Sequence, residues 1–122
     1  MKIFISSLII MTSIQLAIGL LLNPATITPV FSQEGSVSIA PGAADPNNDR
    51  SFDPPQISLS AGGIVSWTND DSIQHTVTSD EELFDAGPIS PGDTFENVFD
   101  SPGEFGYHCA IHPFMTGVVR VN

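Results

Sequence analysis

The chain has 122 residues, and its 14 acidic residues far outnumber its three lysines and arginines. Every carboxylate follows position 32, so residues 33–122 hold two arginines against 14 acidic residues, a formal charge of −12. A field of this sign repels nucleic acid and anionic lipid headgroups, and it favours cations and basic protein partners. About 90 residues suffice for one domain with one modest core, for which we expect a monomer.

The N-terminal segment has the composition of a targeting sequence. A short positive start, Met1-Lys2, precedes an apolar run from Ile3 to Leu22. This pattern predicts a secretory signal peptide over residues 1–32, cleaved near Ser32. Because about 20 apolar residues can also span a bilayer, an uncleaved membrane anchor is the alternative, and only then would the protein contact a membrane. Either reading places residues 33–122 outside the cytoplasm, in a periplasm, on the cell surface or secreted.

The remainder of the chain predicts short strands separated by turns rich in glycine and proline. Segment 80–85 suits either one helical turn or a loop, and no long helical pattern follows. These features predict an all-β fold, an antiparallel sandwich or barrel. Alternation and β-branched residues predict strands, in chain order, at Val37–Ala40, Gln56–Ser60, Ile64–Thr68, Gln74–Ser79, Thr94–Phe99, Glu104–Cys109 and Gly117–Val121.

A group of sulfur and nitrogen donors lies near the C-terminus. The only cysteine, Cys109, is followed at three-residue intervals by His112 and Met115, and His75 lies upstream in another predicted strand. Soft sulfur donors select copper over calcium, magnesium or manganese, and two His, one Cys and a weak axial Met form a blue-copper electron-transfer site. A lone cysteine in an exported chain has no internal disulfide partner, and metal ligation accounts for its presence.

The alternation of side chains along a strand distinguishes the candidate ligand Cys109 from its neighbour His108. Tyr107 and Cys109 share one face of a strand, whereas His108 takes the other, so we expect His108 to be a strand residue and not a ligand. Three other interpretations remain. Cys109 could be a structural core residue, Met115 could simply pack in the core, or the site could bind zinc. A structural zinc site requires four N, S or O ligands, and here the fourth candidate is a thioether.

The segment from Tyr107 to Met115 reads Tyr-His-Cys-x-x-His-Pro-Phe-Met, preceded by Pro-Gly-x-Phe and followed by Gly-x-Val-x-Val. It resembles the cupredoxins of the plastocyanin group, and the short ligand loop is most similar to that of amicyanin. The resemblance extends from about Ser36 to Asn122 and implies a cupredoxin-like Greek-key antiparallel β-sandwich or barrel. It also implies one copper ion bound by His75, Cys109 and His112, with Met115 as the axial ligand.

The same resemblance implies further features of the site. The residue after the first histidine, often Asn in the family, ties the two ligand segments together, and here it is Thr76. The family exposes the edge of its loop histidine within an apolar patch, where electrons pass to partner proteins. Ile111, Pro113 and Phe114 are expected to build that patch, with Pro88 near its rim, and the acidic surface to orient a basic redox partner.

These features favour a blue copper protein that carries single electrons and is not an enzyme. The first alternative is a mononuclear copper oxidoreductase acting on nitric oxide or nitrite, which would need an open coordination position that Met115 fills. The second is a copper-binding or delivery module. Such modules are rich in Met and His, whereas residues 33–122 contain a single methionine.

Overall fold

The computed structural model describes residues 33–122, which form two four-stranded β-sheets. The strands are β1 (Glu34–Ile39), β2 (Phe52–Asp53), β3 (Gln56–Leu59), β4 (Gly63–Asn69), β5 (Thr78–Ser79), β6 (Thr94–Phe99), β7 (Gly103–His108) and β8 (Thr116–Val121). One sheet has the order β2-β1-β4-β6 and the other β3-β8-β7-β5. Within this part of the chain, no helix has the length and apolar character needed to cross a membrane. The predicted signal or anchor, residues 1–32, lies outside the described residues.

Most of the predicted strands are present, with ends shifted by at most three residues, and β6 has the predicted bounds. Segment 80–85 contains a turn and bends and no helical turn. The extended segment predicted at 74–79 forms a strand only at β5, and His75 lies outside that strand, in an isolated bridge with Ile89. Strand β2, which was not predicted, has only two residues, too few for an alternation to show in the sequence.

The all-β sandwich is confirmed, but its strand pairing is mixed and not purely antiparallel. Strand β1 runs parallel to β4, and β3 runs parallel to β8, while the other four pairs are antiparallel. Between β1 and β4 the chain crosses to the opposite sheet and forms β3 there. It then crosses back to the first sheet, where β4 lies beside β1 and runs parallel to it. Strand propensity carries no information on such crossings, because it reflects local fit to a pleated surface.

The core is centred on Trp67, which is fully buried in β4. Its ring centroid lies 5.7 Å from that of Phe95 and 5.3 Å from that of Tyr107, in stacked and edge-on arrangements. Tyr107 packs over Gly117 of the neighbouring strand so closely that a Cβ there would lie 2.3 Å from the tyrosine ring. Since Tyr107 points into the core, Cys109, two residues later and just after the end of β7, points into the same interior.

Candidate metal centre

Cys109 follows the last residue of β7 and points into the sandwich. Tyr107 and Cys109 are fully buried, whereas the His108 side chain is 30% exposed on the opposite face. There His108 Nδ1 lies 2.7 Å from Oδ1 of Asp80. The predicted alternation is therefore confirmed, and His108 points away from Cys109.

Two histidines meet the cysteine from different parts of the chain. The Nδ1 atoms of His75 and His112 lie 3.7 and 3.9 Å from Cys109 Sγ, and the three donor atoms lie within 4.8 Å of one another. His75 and Cys109 are buried, and His112 is half-buried. Two backbone hydrogen bonds with Ile89, at 3.3 and 2.7 Å, fix the position of His75. The fold thus brings three of the four predicted site residues together.

The two sulfur-to-nitrogen separations, 3.7 and 3.9 Å, are those expected around a single first-row metal ion. Two donors bound at about 2.0–2.3 Å with an angle near 120° between them are separated by about 3.7 Å. Among the residues that the structure describes, no fourth His, Cys or carboxylate joins the cluster, as a closed structural zinc site of N, S and O donors would require. A thiolate with two imidazoles is the trigonal donor set of blue-copper sites.

The loop after Cys109 folds back on itself. The N–H of Cys109 donates to the carbonyl of Met115 at 3.1 Å, and the N–H of Met115 donates to the carbonyl of His112 at 2.9 Å. The Met115 side chain is fully buried. These two bonds bring the backbone of all three loop residues to one end of the sandwich, and the axial role of Met115 stays a prediction.

Thr76 connects the two ligand segments. Its N–H donates to Cys109 Sγ at 3.3 Å, and its Oγ1 accepts from the N–H of Ala110 at 2.7 Å. Its own hydroxyl hydrogen is then free for Thr78 Oγ1, 2.9 Å away, which donates to Asp85 Oδ1 at 3.2 Å. A hydroxyl chain therefore runs from the loop after Cys109 to a carboxylate at the surface.

The sequence interpretation missed a buried carboxylate beside the first histidine. Asp71 Oδ2 lies 2.7 Å from His75 Nε2, and its side chain is only 8% exposed. Burial by itself raises the pKa of Asp71, but hydrogen bonds from His75 and from the backbone of Ser72 and Gly42 hold it below its ordinary value. The sequence suggests only a turn here. The contact could have been predicted from the position of an aspartate four residues before a candidate ligand histidine, because carboxylates commonly accept a hydrogen bond from the outer nitrogen of such ligands.

Asn69 fixes the loop that carries this aspartate. It is fully buried, and its amide donates to the carbonyls of Ile73 and Ile89 at 2.8 and 2.9 Å. Its Oδ1 accepts from the N–H of Asp71 at 2.9 Å. One side chain thus satisfies three backbone groups around His75, which makes the loop rigid.

The surface at His112 is apolar. Ile111 and Phe114 are 48% and 46% exposed, Pro113 is exposed, and the rings of His112 and Phe114 are 6.1 Å apart. Pro88, expected near the rim, is also exposed. The residues predicted to form an apolar patch are therefore at the surface, and the ring of Phe114 lies beside the half-buried ligand candidate.

Known proteins with similar sequences include amicyanins and plastocyanins. Amicyanin-alpha of Methylorubrum extorquens is 32% identical over 81 residues, covering 58% of this chain and 64% of that protein. Amicyanin of Paracoccus denitrificans is 28% identical over 112 residues, 87% of this chain and 85% of that protein. Chloroplastic plastocyanin of Tetradesmus obliquus is 32% identical over 72 residues, and the match spans half of each chain.

Solved structures agree with this relationship. A purple cupredoxin from Nitrosopumilus maritimus superposes with a TM-score of 0.69 and 33% identity, over 72% of this chain and 99% of that one. A Cu(I) form of an amicyanin mutant gives a TM-score of 0.61 at 24% identity, over 76% of this chain and 86% of that one, which shows the fold alone. Residues 42–122 match the family of copper binding proteins described as the plastocyanin/azurin family, and the chain belongs to this family.

Proposed function

We propose that this protein carries single electrons between partner proteins outside the cytoplasm, on one copper ion. The ligands are His75 Nδ1, Cys109 Sγ and His112 Nδ1, with the Met115 thioether as a weak axial donor. The observation that carries this proposal is the convergence of two imidazole nitrogens at 3.7 and 3.9 Å from a buried cysteine sulfur. Bound copper supplies a one-electron Cu(II)/Cu(I) couple.

The protein fixes the positions of the donor atoms through backbone hydrogen bonds and burial. His75 is fixed by its backbone bonds to Ile89, and the Met115 and Cys109 backbones are bonded across the loop. Both Cys109 and His75 are completely buried, so water is kept from the sulfur. Donors that are fixed before binding serve both oxidation states with little rearrangement, which is what fast electron transfer requires.

Electrons leave and enter through His112. It is the one half-buried member of the cluster, its ring lies 6.1 Å from that of Phe114, and Ile111 and Phe114 in the same loop are exposed. An apolar rim lets a partner approach closely while water is expelled from the contact. Weak redox encounters bury small interfaces, and a patch of this kind suits such a contact.

The charge of the domain favours a basic partner. Both arginines of the described region are already in ion pairs, Arg50 with Asp53 at 3.1 Å and Arg120 with Glu104 at 2.7 Å. An exposed acidic segment, 80–85, lies at the edge formed by β5 and β7. Such a field steers a positively charged partner, and the association rate should fall steeply as salt is added.

A carrier is favoured over an enzyme because catalysis by a single metal needs an open coordination position. In the proposed site Met115 occupies that position. The location outside the cytoplasm rests on the apolar run at the N-terminus, and a monomer suffices because all proposed ligands come from one chain.

The visible absorption spectrum after addition of Cu(II) and desalting tests the proposal. We expect an intense thiolate-to-copper band that ascorbate bleaches and an oxidant restores. Replacement of Cys109 by Ser should abolish the band, whereas His108→Asn, at the neighbouring residue that points away from the site, should retain it. A colourless wild-type protein, or a Cys109→Ser variant with the full band, would refute the ligand assignment.

A further inference from the structure

A cavity of about 250 Å³ lies beside the apolar patch at His112. Phe114 lines it, and the centroid of this ring is 6.1 Å from that of His112. The other lining residues include Phe52 of β2 and part of the loop between β1 and β2. Sites that enclose a small molecule have volumes of about 300–1,000 Å³, so this cavity suits a single side chain.

The loop between β1 and β2, residues 40–51, is held in shape by its own hydrogen bonds. The N–H of Ala40 donates to the carbonyl of Ser51 at 3.0 Å and closes the loop at its base. Asn48, which lines the cavity, donates from its side-chain amide to the carbonyl of Gly42 at 3.1 Å. The cavity is therefore formed before a partner arrives, and little conformational entropy is lost when it is filled.

The cavity carries one uncompensated negative charge. Asp49 is the only charged residue among those that line it. Within residues 33–122, none of the four ion pairs includes Asp49. The neighbouring Arg50 is paired with Asp53 at 3.1 Å, so its guanidinium group is already engaged. A cation is therefore the group whose charge matches this cavity.

We propose that the cavity binds an arginine side chain of the redox partner, with the guanidinium group against the carboxylate of Asp49 and its flat face on the ring of Phe114. The proposal rests on the proposed function, because it identifies a contact that orients the partner beside His112. Guanidinium groups bind carboxylates through paired hydrogen bonds and stack on aromatic rings. A lysine ammonium is a compact, strongly hydrated charge without such a planar face.

A second copy of this chain is a poor occupant of the cavity. Residues 33–122 contain two arginines, and both are in ion pairs. Each copy also carries a formal charge of −12 over this region, so two copies repel each other. The arginine must therefore come from a different protein, of the basic kind that the acidic surface favours.

Amide NMR of the isotope-labelled, metal-free protein tests the proposal, with N-acetyl-arginine amide as the probe at constant ionic strength. We expect the signals of Asn48 and Thr116, which line the cavity, to shift and saturate. The dissociation constant should be about 1–10 mM, as for a weak ligand of this size. In Asp49→Asn we expect it to be about 2–5-fold higher, the loss typical of an exposed ion pair. N-acetyl-citrulline amide has the same shape without the charge and should bind the wild type more weakly by at least the same factor.

The matched control is Asp45→Asn, in the same loop. Asp45 is exposed and does not line the cavity, and its Oδ1 accepts from the N–H of Asn47 at 2.9 Å, a bond that an amide oxygen retains. This variant loses the same charge and should keep the wild-type dissociation constant. An equal loss of affinity in Asp45→Asn and Asp49→Asn would overturn the proposal, because net charge alone would then explain it.

Three further outcomes would also overturn it. They are the absence of saturable shifts at the cavity, equal affinity for the citrulline compound, and wild-type affinity in Asp49→Asn. The citrulline comparison uses the wild type, so it decides the question whether or not a variant folds. The titration needs no metal and is therefore independent of the copper band, which tests the electron carrier.

Discussion

The backbone N–H of Ala110 donates to Thr76 Oγ1 across 2.7 Å, and this bond joins the segment after the first histidine to the loop after the cysteine. The resemblance to cupredoxins implies a link of this kind from the residue after the first histidine, which is often Asn in the family and is Thr76 here. A threonine hydroxyl makes the same connection here and continues it, through Thr78, to Asp85. The connection between the two ligand segments is thus made by a threonine hydroxyl and not by an amide side chain.

Replacing Thr76 by Val should loosen this link. The variant keeps the shape of the side chain but leaves the N–H of Ala110 without its acceptor, which costs about 1–3 kcal/mol for a buried donor and nearer the lower figure at this partly buried position. Urea unfolding of the metal-free protein measures the loss. Thr76→Ser keeps the hydroxyl and is the matched control. Equal stability of the Val and Ser variants would show that the bond contributes nothing.

The axial role of Met115 can be separated from its packing. Met115→Leu conserves volume in a fully buried position, so it should cost less than about 1.5 kcal/mol of stability. The copper band should persist because Cys109 is unchanged. Loss of a donor destabilises the more highly charged ion more, and we therefore expect a higher reduction potential by voltammetry. Thr116→Ser, at the exposed next residue, should leave the potential unchanged. An unaltered potential in Met115→Leu would remove Met115 from the ligand set.

The C-terminal half of the candidate site was predictable from sequence. The three-residue spacing of Cys109, His112 and Met115 places them in one short loop, and the alternation around Tyr107 settles which way Cys109 points. Strand β6 and the centre of β4 were equally clear because their alternation is long enough to be unambiguous. Local patterns sufficed wherever the relevant contact lies within a few residues along the chain.

The surroundings of His75 could not be predicted in the same way. Asp71 lies in a run of turn-forming residues, and nothing local distinguishes a carboxylate that faces solvent from one held by Gly42, 29 residues earlier. The side-chain amide of Asn69 donates a hydrogen bond to the carbonyl of Ile89, 20 residues later in the chain. The parallel pairing of β1 with β4 likewise joins residues that are far apart in the sequence, such as Glu34 and Ile64. Such contacts depend on how the loops meet at one end of the sandwich, which turn propensity does not encode.

Gly117 is required for the packing of Tyr107. A Cβ on residue 117 would lie 2.3 Å from the tyrosine ring, and the ring is completely buried and cannot move aside without disturbing the core. Gly117→Ala should therefore destabilise the protein by about 1–3 kcal/mol, as overpacking typically does. Thermal or urea unfolding gives the value. In a Tyr107→Leu background the same substitution should cost clearly less, and a full, additive penalty there would exclude the ring as its cause.

The buried phenol of Tyr107 should make the stability of the fold depend on pH under alkaline conditions. Burial raises its pKa to about 12, against an ordinary value of about 10 in the unfolded chain. Between these values the unfolded chain releases a proton that the folded protein retains. The free energy of unfolding therefore keeps its full value below about pH 10 and falls by about 3 kcal/mol as the pH approaches 12.

Tyr107 is the only tyrosine, so tyrosinate absorbance follows this group alone, and urea unfolding across the same range measures how steeply the free energy of unfolding changes with pH. Burial outweighs a contact with the Trp67 indole N–H, which favours the phenolate. Tyr107→Phe removes only the hydroxyl, so it should fold and lose the component of the slope due to the phenol. Tyrosinate formation near pH 10 in the folded protein would contradict this account.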